Sequence, residues 1–230
     1  MIGIIGVTIS DIVQIASELS STATEKVCGI EFQSGYIGGV PVVAAASGTG
    51  IHAASVASAL MAGKFGVSAI ISIGSADALS PQAHAGDVIV ASAVATAGAR
   101  AEASDPVLPD APGPVSSDIT VSGILFEAAS ADRWSGYTWR GTIASGDSLA
   151  SDRCSRMKLC EELSAISFDS SASAIGAVCS ASGIPFAILR CVVSDFEGDA
   201  GDRLELARTA AQTESRILLG ALPAIAELGF

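Results

Sequence analysis

Runs of β-branched and aliphatic residues recur along the chain and alternate with segments of helical period. The runs "IGIIGV" at 2–7, "SAIISIG" at 68–74 and "IPFAILRCVV" at 184–193 are apolar at nearly every position. Strands with this pattern have both faces covered, as the strands of parallel sheets do. The alternation predicts one α/β domain over residues 1–230, with three layers and a mostly parallel, mixed central sheet flanked by helices.

The composition excludes several classes of partner. The formal charge of −12 argues against nucleic acid and anionic membranes, because phosphate groups would be repelled. The five cysteines show no CxxC spacing, which predicts reduced thiols instead of disulfides or a zinc site. With no basic segment at the N-terminus, we expect a cytoplasmic protein. No metal-ligand spacing and no dinucleotide fingerprint occurs, so we expect neither a metal nor a cofactor.

Local signals give further expectations. Ser10 can cap a helix that holds Asp11 in its first turn, where a negative charge is favoured. A turn at Ser34-Gly35 is expected between two strands. A helix within 48–66 should bury the face that contains Val56. Residues 97–118 carry four prolines and no apolar period, which predicts a long loop that acts as a lid or a partner contact.

Polar and small residues follow the ends of the predicted strands. A hydroxyl and a carboxylate, Ser194 and Asp195, end the apolar run at 184–193, although an ionisable group there is costly to desolvate unless paired. In open α/β sheets, ligands bind at the carboxyl ends of strands. Five such ends define one rim and hence one pocket: Ser47-Gly48, Gly74-Ser75-Ala76, Ser145-Gly146-Asp147, Asp169-Ser170-Ser171 and Ser194-Asp195.

The order of these motifs resembles a known superfamily. "IGIIG", "SGTG", "IISIGSADAL", "AGDVIV", "SGD" and "PFAILRCVVSD" are similar to the purine nucleoside phosphorylase/nucleosidase superfamily, and most of all to the bacterial 5′-methylthioadenosine/S-adenosylhomocysteine nucleosidases. The resemblance implies a nucleoside phosphorylase-like fold and a homodimer, with contacts expected around Val56 and Leu60. It implies hydrolysis of the N-glycosidic bond of a 5′-substituted purine nucleoside, such as methylthioadenosine or S-adenosylhomocysteine, which releases adenine.

The resemblance also implies roles for individual residues. Asp195 matches the aspartate that donates a proton toward N7 of the leaving purine, and Ser194 matches the serine that orients it. Asp11 matches a glutamate that activates the attacking water, but its side chain is one methylene shorter; it could equally be only a helix-stabilising residue. Substrate contacts are expected from Val7, Thr49, Ser75, Ala76, Leu149, Ala150, Asp169, Ser170 and Ser171.

Several positions depart from the family pattern. Ser170 and Ser171 replace a Met-Glu pair whose glutamate holds the ribose hydroxyls. A glutamate at 171 should raise the rate if Ser171 occupies that place, and should destabilise the fold if the pocket has been reshaped. Leu149 stands where a stacking phenylalanine is usual, and Asp77 where a glycine is usual. Arg190 lies one residue from the family's arginine position, which Cys191 takes; a small bulge would reconcile the two.

The sequence also bears on the nucleophile. No arginine precedes Arg100, and only Lys26 and Lys64 are basic in the first 99 residues, so phosphate has few partners in the N-terminal half. Water is therefore the expected nucleophile. Two alternatives stay open: a divergent member that binds nucleosides with weak or no turnover, and an enzyme for another purine nucleoside such as futalosine.

Overall fold

The structure is a computed structural model, and it describes residues 1–98, 113–132, 136–149, 151–198 and 202–230. None of the helices there is long and apolar enough to cross a membrane. Most of the predicted loop at 97–118 lies outside the described residues. The strands and helices run in the order β1 Ile2–Gly6, α1 Ile9–Ser17, β2 Ser20–Val27, β3 Ile30–Ile37, β4 Val40–Ala46, α2 Ile51–Gly63, β5 Ala69–Ala78, β6 Val88–Thr96, β7 Val115–Ser116, α3 Ile119–Ala131, β8 Thr138–Ser145, α4 Arg153–Leu163, β9 Ala165–Asp169, α5 Ala172–Ser182, β10 Phe186–Ser194 and α6 Arg203–Ala226.

The sheet closes on itself. Its strand order is β10-β6-β8-β9-β5-β1-β4-β3-β2, and β10 also pairs with β5, so that β5, β10, β6, β8 and β9 form a ring. The prediction of three flat layers was wrong in this respect. The reason is that β5 pairs along both edges, with β10 on one side and with β1 and then β9 on the other, a non-local arrangement that no local pattern encodes.

The sheet is evenly mixed, where the sequence predicted a mostly parallel one. Among the described strands, five pairings are parallel and five antiparallel. The turn predicted at Ser34-Gly35 is also wrong, because both residues lie within β3. The chain reverses instead at Cys28-Gly29 and at Gly38-Gly39, four residues with positive φ, as two-residue hairpins of type I′ require.

Helices cover both faces of the sheet, and successive residues of a strand pack on opposite faces. Ile71 and Leu189 belong to the core shared with α1, α3 and α6, whereas Ile70 and Ile188 belong to the core shared with α2 and α5. This explains why the central strands are apolar at consecutive positions. The predicted buried face of α2 was partly wrong: Val56 is 43 % exposed, and the helix buries Ala54, Ala57, Ser58 and Met61.

The sheet has a fork where one edge of β5 changes from one partner strand to another, and the candidate site lies there. Along one edge, β5 pairs with β1 as far as Ile73 and then with β9 from Asp77 onward. Residues 74–76 between these points have no strand partner on that edge. Gly74 allows the close approach of the turn between β1 and α1, since a Cβ atom there would lie 2.8 Å from Val7 Cγ2. The fork leaves a gap into which several strand ends open.

Candidate active site

A cavity of about 270 Å³ lies at the fork. Four of the five predicted strand exits contribute to it or adjoin it directly, and they bring three aspartates, Asp77, Asp147 and Asp169, to its wall. The lining residues are Val7, Thr8, Thr49, Ser75, Ala76, Asp77, Gly146, Asp147, Ser148, Leu149, Phe168, Asp169, Ser170 and Arg203. The inference that polar strand ends would converge on one pocket therefore agrees with the geometry.

Most of the predicted substrate contacts meet in this cavity. Seven of the nine line it: Val7, Thr49, Ser75, Ala76, Leu149, Asp169 and Ser170. Ser171 does not, and Ala150 lies outside the described residues. Their role in binding a nucleoside remains a prediction. Leu149, which by the resemblance replaces a stacking phenylalanine, lines the cavity together with Phe168, which supplies an aromatic ring to the same wall.

A buried ion pair forms the floor next to the cavity. Arg190 is fully buried, and its Nε donates to Asp169 Oδ2 at 2.8 Å. Its Nη2 donates to the hydroxyl groups of Ser72 and Ser171, each at 3.1 Å. Asp169 Oδ1 accepts from Ser145 Oγ at 2.5 Å. Because all these partners are fixed by strands and by the start of α5, the charges of the pair are held in place and compensated where no water reaches.

Ser171 belongs to this network. Its hydroxyl donates to Asp169 Oδ2 at 3.2 Å and accepts from Arg190, and the residue has no exposed surface. The position that carries the ribose-binding glutamate in the resembling family is thus directed into the protein here. Ser170, in contrast, lines the cavity, and its Oγ accepts from the backbone N–H of Gly50 at 3.4 Å. Both carboxylate oxygens of Asp169 already accept hydrogen bonds within the protein, so the Ser170 hydroxyl is the polar side-chain group of this segment that the cavity presents to a ribose.

Strand β10 contains a bulge of the kind that would reconcile the position of Arg190 with the family pattern. Its register against β5 shifts between Val192 and Ser194, which marks one extra residue in β10. The shift places Arg190 in its buried pair and still brings Ser194 opposite Asp77. Sequence alignment alone had put Cys191 at the family's arginine position. The bulge resolves that conflict.

Glu214 of α6 supports β10 just before the bulge. Its Oε1 accepts from the backbone N–H of Cys191 at 2.6 Å, while its Oε2 has no hydrogen-bond partner among the described residues. Burial, and next the charge of Asp11, raise the pKa of Glu214 from an ordinary 4.5 to about 8, against the opposing effect of Arg190. Burial and Glu214 in turn raise the pKa of the Cys191 thiol well above its usual value. Sequence reasoning missed Glu214.

Asp11 lies beside this cluster. Thr8, not the predicted Ser10, is the N-cap residue of α1, and its backbone N–H donates to Asp11 Oδ2 at 2.7 Å. Asp11 is buried, and this burial raises its pKa, opposed by the Thr8 hydrogen bond and by the charge of Arg190. Asp11 does not line the cavity itself. The hydrogen bond from Thr8 engages one carboxylate oxygen of Asp11 in the helix cap. This contact agrees with the alternative that Asp11 only stabilises the helix.

Asp195 and Ser194 make different contacts from those the resemblance implied. Ser194 Oγ donates to Asp77 Oδ1 at 2.5 Å, so it orients Asp77 and not Asp195. Asp77 also pairs with Arg203, whose Nη2 lies 2.9 Å from the same oxygen. The reason is the departure noted at Asp77: where the family has a glycine, this chain places a carboxylate within reach of the Ser194 hydroxyl.

The carboxylate of Asp195 is 45 % exposed and is turned toward the segment before β6. Its Oδ1 accepts from the backbone N–H of Ala85 at 2.8 Å and lies 3.5 Å from His84 Nδ1. That segment is anchored by the buried Asp87, which accepts from the N–H groups of His84 and Tyr137 and from Trp139 Nε1. Asp195 is thus held at the rim of the site, outside the residues that line the cavity.

Two charged residues of the cavity, Asp77 and Arg203, belong neither to the predicted substrate contacts nor to the predicted rim. Asp77 had a visible signal, since it replaces a glycine within "IGSADAL". Arg203 had none, because it begins a helix and follows a polar segment whose placement no periodic pattern fixes. Among the described residues, Arg203 is the only basic side chain that lines the cavity, and it is paired with Asp77.

Comparisons with known proteins agree with the fold. The model of the phosphorylase superfamily matches residues 1–223. A 5′-methylthioadenosine/S-adenosylhomocysteine nucleosidase of Halalkalibacterium halodurans is 31 % identical over 209 residues, which are 86 % of each chain. The crystal structure of such a nucleosidase from Neisseria meningitidis, in complex with methylthio-immucillin-A, has a TM-score of 0.87 at 21 % identity and covers 97 % of this chain and 98 % of that one. A futalosine hydrolase mutant of Helicobacter pylori has a TM-score of 0.86 at 20 % identity, over 97 % of this chain and 98 % of that one.

Proposed function

The chain belongs to the phosphorylase superfamily, and on that premise we propose that it is a purine nucleosidase. It hydrolyses the N-glycosidic bond of a 5′-substituted purine nucleoside such as methylthioadenosine or S-adenosylhomocysteine and releases adenine. Curated relatives that align with 86 % of the chain carry this activity in their names. The observation that carries the proposal is the cavity at the fork of β5, where the residues that the resemblance marks for nucleoside binding converge.

The charge of the cavity supports water as the nucleophile. Asp77, Asp147 and Asp169 line it, and the one basic residue among its described lining, Arg203, is already paired with Asp77. Asp77 and Asp169 are each paired with an arginine, so Asp147 is the lining carboxylate that would repel a phosphate dianion, and the arginines of the described residues here are already engaged. Water carries no charge and can be held by the same oxygens. A hydrolase therefore fits this lining better than a phosphorylase.

Cleavage of the bond requires two kinds of assistance. The leaving purine must gain a proton at N7, and a general acid in that role typically contributes about 10²–10⁴-fold. We assign it to Asp195, which stands at the rim on the strand that also holds Ser194. The attacking water must be oriented on the opposite side of the ribose, and we assign this role to Asp11, whose burial raises its pKa. The hydroxyl of Ser170 contacts the ribose, and the Asp169 carboxylate beneath it, already paired with Arg190, acts on the developing positive charge only from a distance.

The proposal includes a homodimer, which the resemblance implies. The exposed Val56 on α2 is a candidate contact, since a valine with 43 % of its surface in water gains from burial in an interface. Light scattering at micromolar concentration should give twice the chain mass of 22.9 kDa. A monomer mass would exclude this part of the proposal.

A second function is favoured by one observation. Ser171 is fully committed to Asp169 and Arg190, so the ribose lacks the glutamate that the resembling family supplies. A protein that binds the nucleoside and turns it over weakly or not at all would account for this loss. It differs from the first proposal in rate and not in ligand.

The test is a substrate panel. Methylthioadenosine, S-adenosylhomocysteine and inosine are incubated with the protein, with and without phosphate, and the released base is quantified by chromatography. We expect adenine from the first two at a rate that phosphate does not change. Phosphate-dependent release would make the protein a phosphorylase. Binding of these nucleosides without release would establish the second function.

A further inference from the structure

Helix α4 follows a segment that lines the cavity at the fork. Residues 146–149 belong to the cavity wall, and α4 begins at Arg153 after its N-cap residue Asp152. Every residue of this helix is exposed or only partly buried, including Leu159 and Leu163, which pack against the small core around Phe168. Because so little apolar surface is buried, the polar contacts of α4 weigh more in fixing its position.

The turn that follows β10 contains Asp195. The backbone N–H of Gly198 donates to the carbonyl of Asp195 at 2.9 Å and closes the turn. Phe196 is buried and anchors the turn in the core shared with α2 and α5. The side chain of Asp195 accepts from the N–H of Ala85 at 2.8 Å. The place of the Asp195 carboxylate therefore depends on how the backbone of residues 195–198 is held.

Two arginines of α4 bind this turn. Nη1 of Arg156 donates to the backbone carbonyl of Phe196 at 2.7 Å. Arg153 forms an ion pair with Glu197, and its Cζ lies 5.3 Å from the centre of the Phe196 ring. Three contacts thus join the helix to the two residues that come directly after Asp195.

The contact of Arg156 is the strongest of the three. The side chains of Arg153 and Glu197 are 61 % and 63 % exposed, so solvent screens their attraction. Arg156 is partly buried, and a hydrogen bond from a charged donor is about twice as strong as one between neutral groups. Its guanidinium also packs on Gly198, where a Cβ atom would lie 3.5 Å from Nη2. Arg156 therefore contacts the turn at its middle and at its end.

We propose that Arg156 is a positioning residue for Asp195, which it keeps at the rim of the cavity by fixing the backbone of the turn. The inference rests on the proposed function, in which Asp195 gives a proton to N7 while the bond between C1′ and N9 breaks and its electron pair moves to the purine. The oxygen of the attacking water bonds to C1′, and the proton that this water loses goes to Asp11. The base is thus released in its neutral form.

A positioning role acts on the rate of base release. A general acid works only within hydrogen-bond reach of the atom that it protonates, and a displacement of about 1 Å can cost about 10²-fold in rate. Arg156 binds the turn through a backbone carbonyl and lies outside the described lining of the cavity, so its loss leaves the binding surface for the nucleoside in place.

The test is a kinetic double-mutant cycle in the whole chain. Arg156→Met removes the donor to Phe196, whereas Arg156→Lys keeps a charged donor. Arg140→Met is the matched control: Arg140 also donates to a backbone carbonyl, that of Ser122 at 3.5 Å, and its Cζ lies 4.7 Å from the centre of the Phe126 ring. Each variant is made alone and together with Asp195→Asn. The single-turnover rate of adenine release from methylthioadenosine and the affinity for this nucleoside are measured.

We expect Arg156→Met to slow release about tenfold, as the loss of one charge-assisted hydrogen bond does, with unchanged affinity. Arg156→Lys should recover most of the rate, and Arg140→Met should release adenine as fast as the wild type. Combined with Asp195→Asn, Arg156→Met should slow release no further, because the residue that it positions is gone. An equal loss with and without Asp195→Asn, a weaker affinity at an unchanged rate, or no loss at all would overturn the inference.

A measurement without substrate separates this inference from the proposed function. Hydrogen exchange of the Ala85 amide, followed by NMR, reports whether Asp195 still accepts its hydrogen bond. We expect exchange about tenfold faster in Arg156→Met and at the wild-type rate in Arg140→Met. If the wild type releases no adenine, the proposed function fails, and this exchange decides whether Arg156 positions Asp195. Equal exchange in the wild type and in Arg156→Met would show that it does not.

Discussion

Replacing Glu214 by glutamine should stabilise the protein in a strongly pH-dependent way. The folded state raises the pKa of this carboxyl group from 4.5 to about 8, chiefly through burial and the charge of Asp11. Between these values the folded chain holds a proton that the unfolded chain releases, so stability is greatest below pH 4.5 and falls until the pH passes 8. Above pH 8 both states are ionised and the loss is complete.

The size of the change in the free energy of unfolding follows from the interval between the two pKa values. Each pH unit corresponds to about 1.4 kcal/mol, so the whole interval costs the wild type about 5 kcal/mol, and the part between pH 5 and pH 8.5 about 4 kcal/mol. A glutamine does not titrate, and its amide oxygen can still accept the N–H of Cys191 that Glu214 Oε1 accepts at 2.6 Å. We therefore expect Glu214→Gln to be about 4 kcal/mol more stable relative to the wild type at pH 8.5 than at pH 5.

The assay is urea unfolding of both proteins at pH 5 and pH 8.5, followed by circular dichroism. Glu127→Gln is the matched control, because Glu127 lies exposed on α3 and forms no ion pair with the residues that the structure describes. Its stability should track the wild type at both pH values. A stability difference between Glu214→Gln and the wild type that is equal at the two pH values would refute the reasoning.

Three further changes test the site. Asp195→Asn should leave folding and purine affinity nearly intact while base release slows by about 10²-fold or more; an unchanged single-turnover rate would make Asp195 a structural residue of the rim. Arg190→Met leaves the buried Asp169 without its cation and should cost about 3–5 kcal/mol in urea unfolding, and a loss under 1 kcal/mol would mean that the pair contributes little. Ser171→Glu adds a second carboxylate beside Asp169 in a site with no exposed surface, so we expect about 3 kcal/mol or more of destabilisation; a stable variant with higher kcat/KM would show that the position can still serve the ribose.

Elements with a strong apolar or capping signal were predictable. The run "AISFD" is β9 to the residue, and α5 ends at Gly183, which takes the left-handed conformation at the helix C-terminus. Strand β2 was not predictable in its full length. Its residues "SSTATEKV" are almost all exposed, so no apolar alternation distinguishes this strand from a loop.

The strand ends that border the candidate site could be predicted from the sequence, but the buried hydrogen-bond network beside it could not. The polar strand ends show in the sequence, and so does the extra residue between Arg190 and Asp195. The direction of Ser171 into the ion pair does not, because serine fits both a cavity wall and a buried hydrogen-bond network. Glu214 left a signal that sequence reasoning did not use: it falls on the helix face of Ala210 and Ile217, where a charged residue must be buried.

The last strand of the sheet has a consequence for handling the protein at high concentration. Strand β2 pairs with β3 alone among the described strands, so its outer backbone groups can accept another chain. A register shift between Ser20 and Ala23, with positive φ at Ser21, twists this edge, and Glu25 and Lys26 put charges along it. These features oppose the addition of foreign strands and hence fibrous aggregation. A variant that loses the charge of Lys26 also loses part of this protection, and its shelf life in concentrated stocks should shorten accordingly.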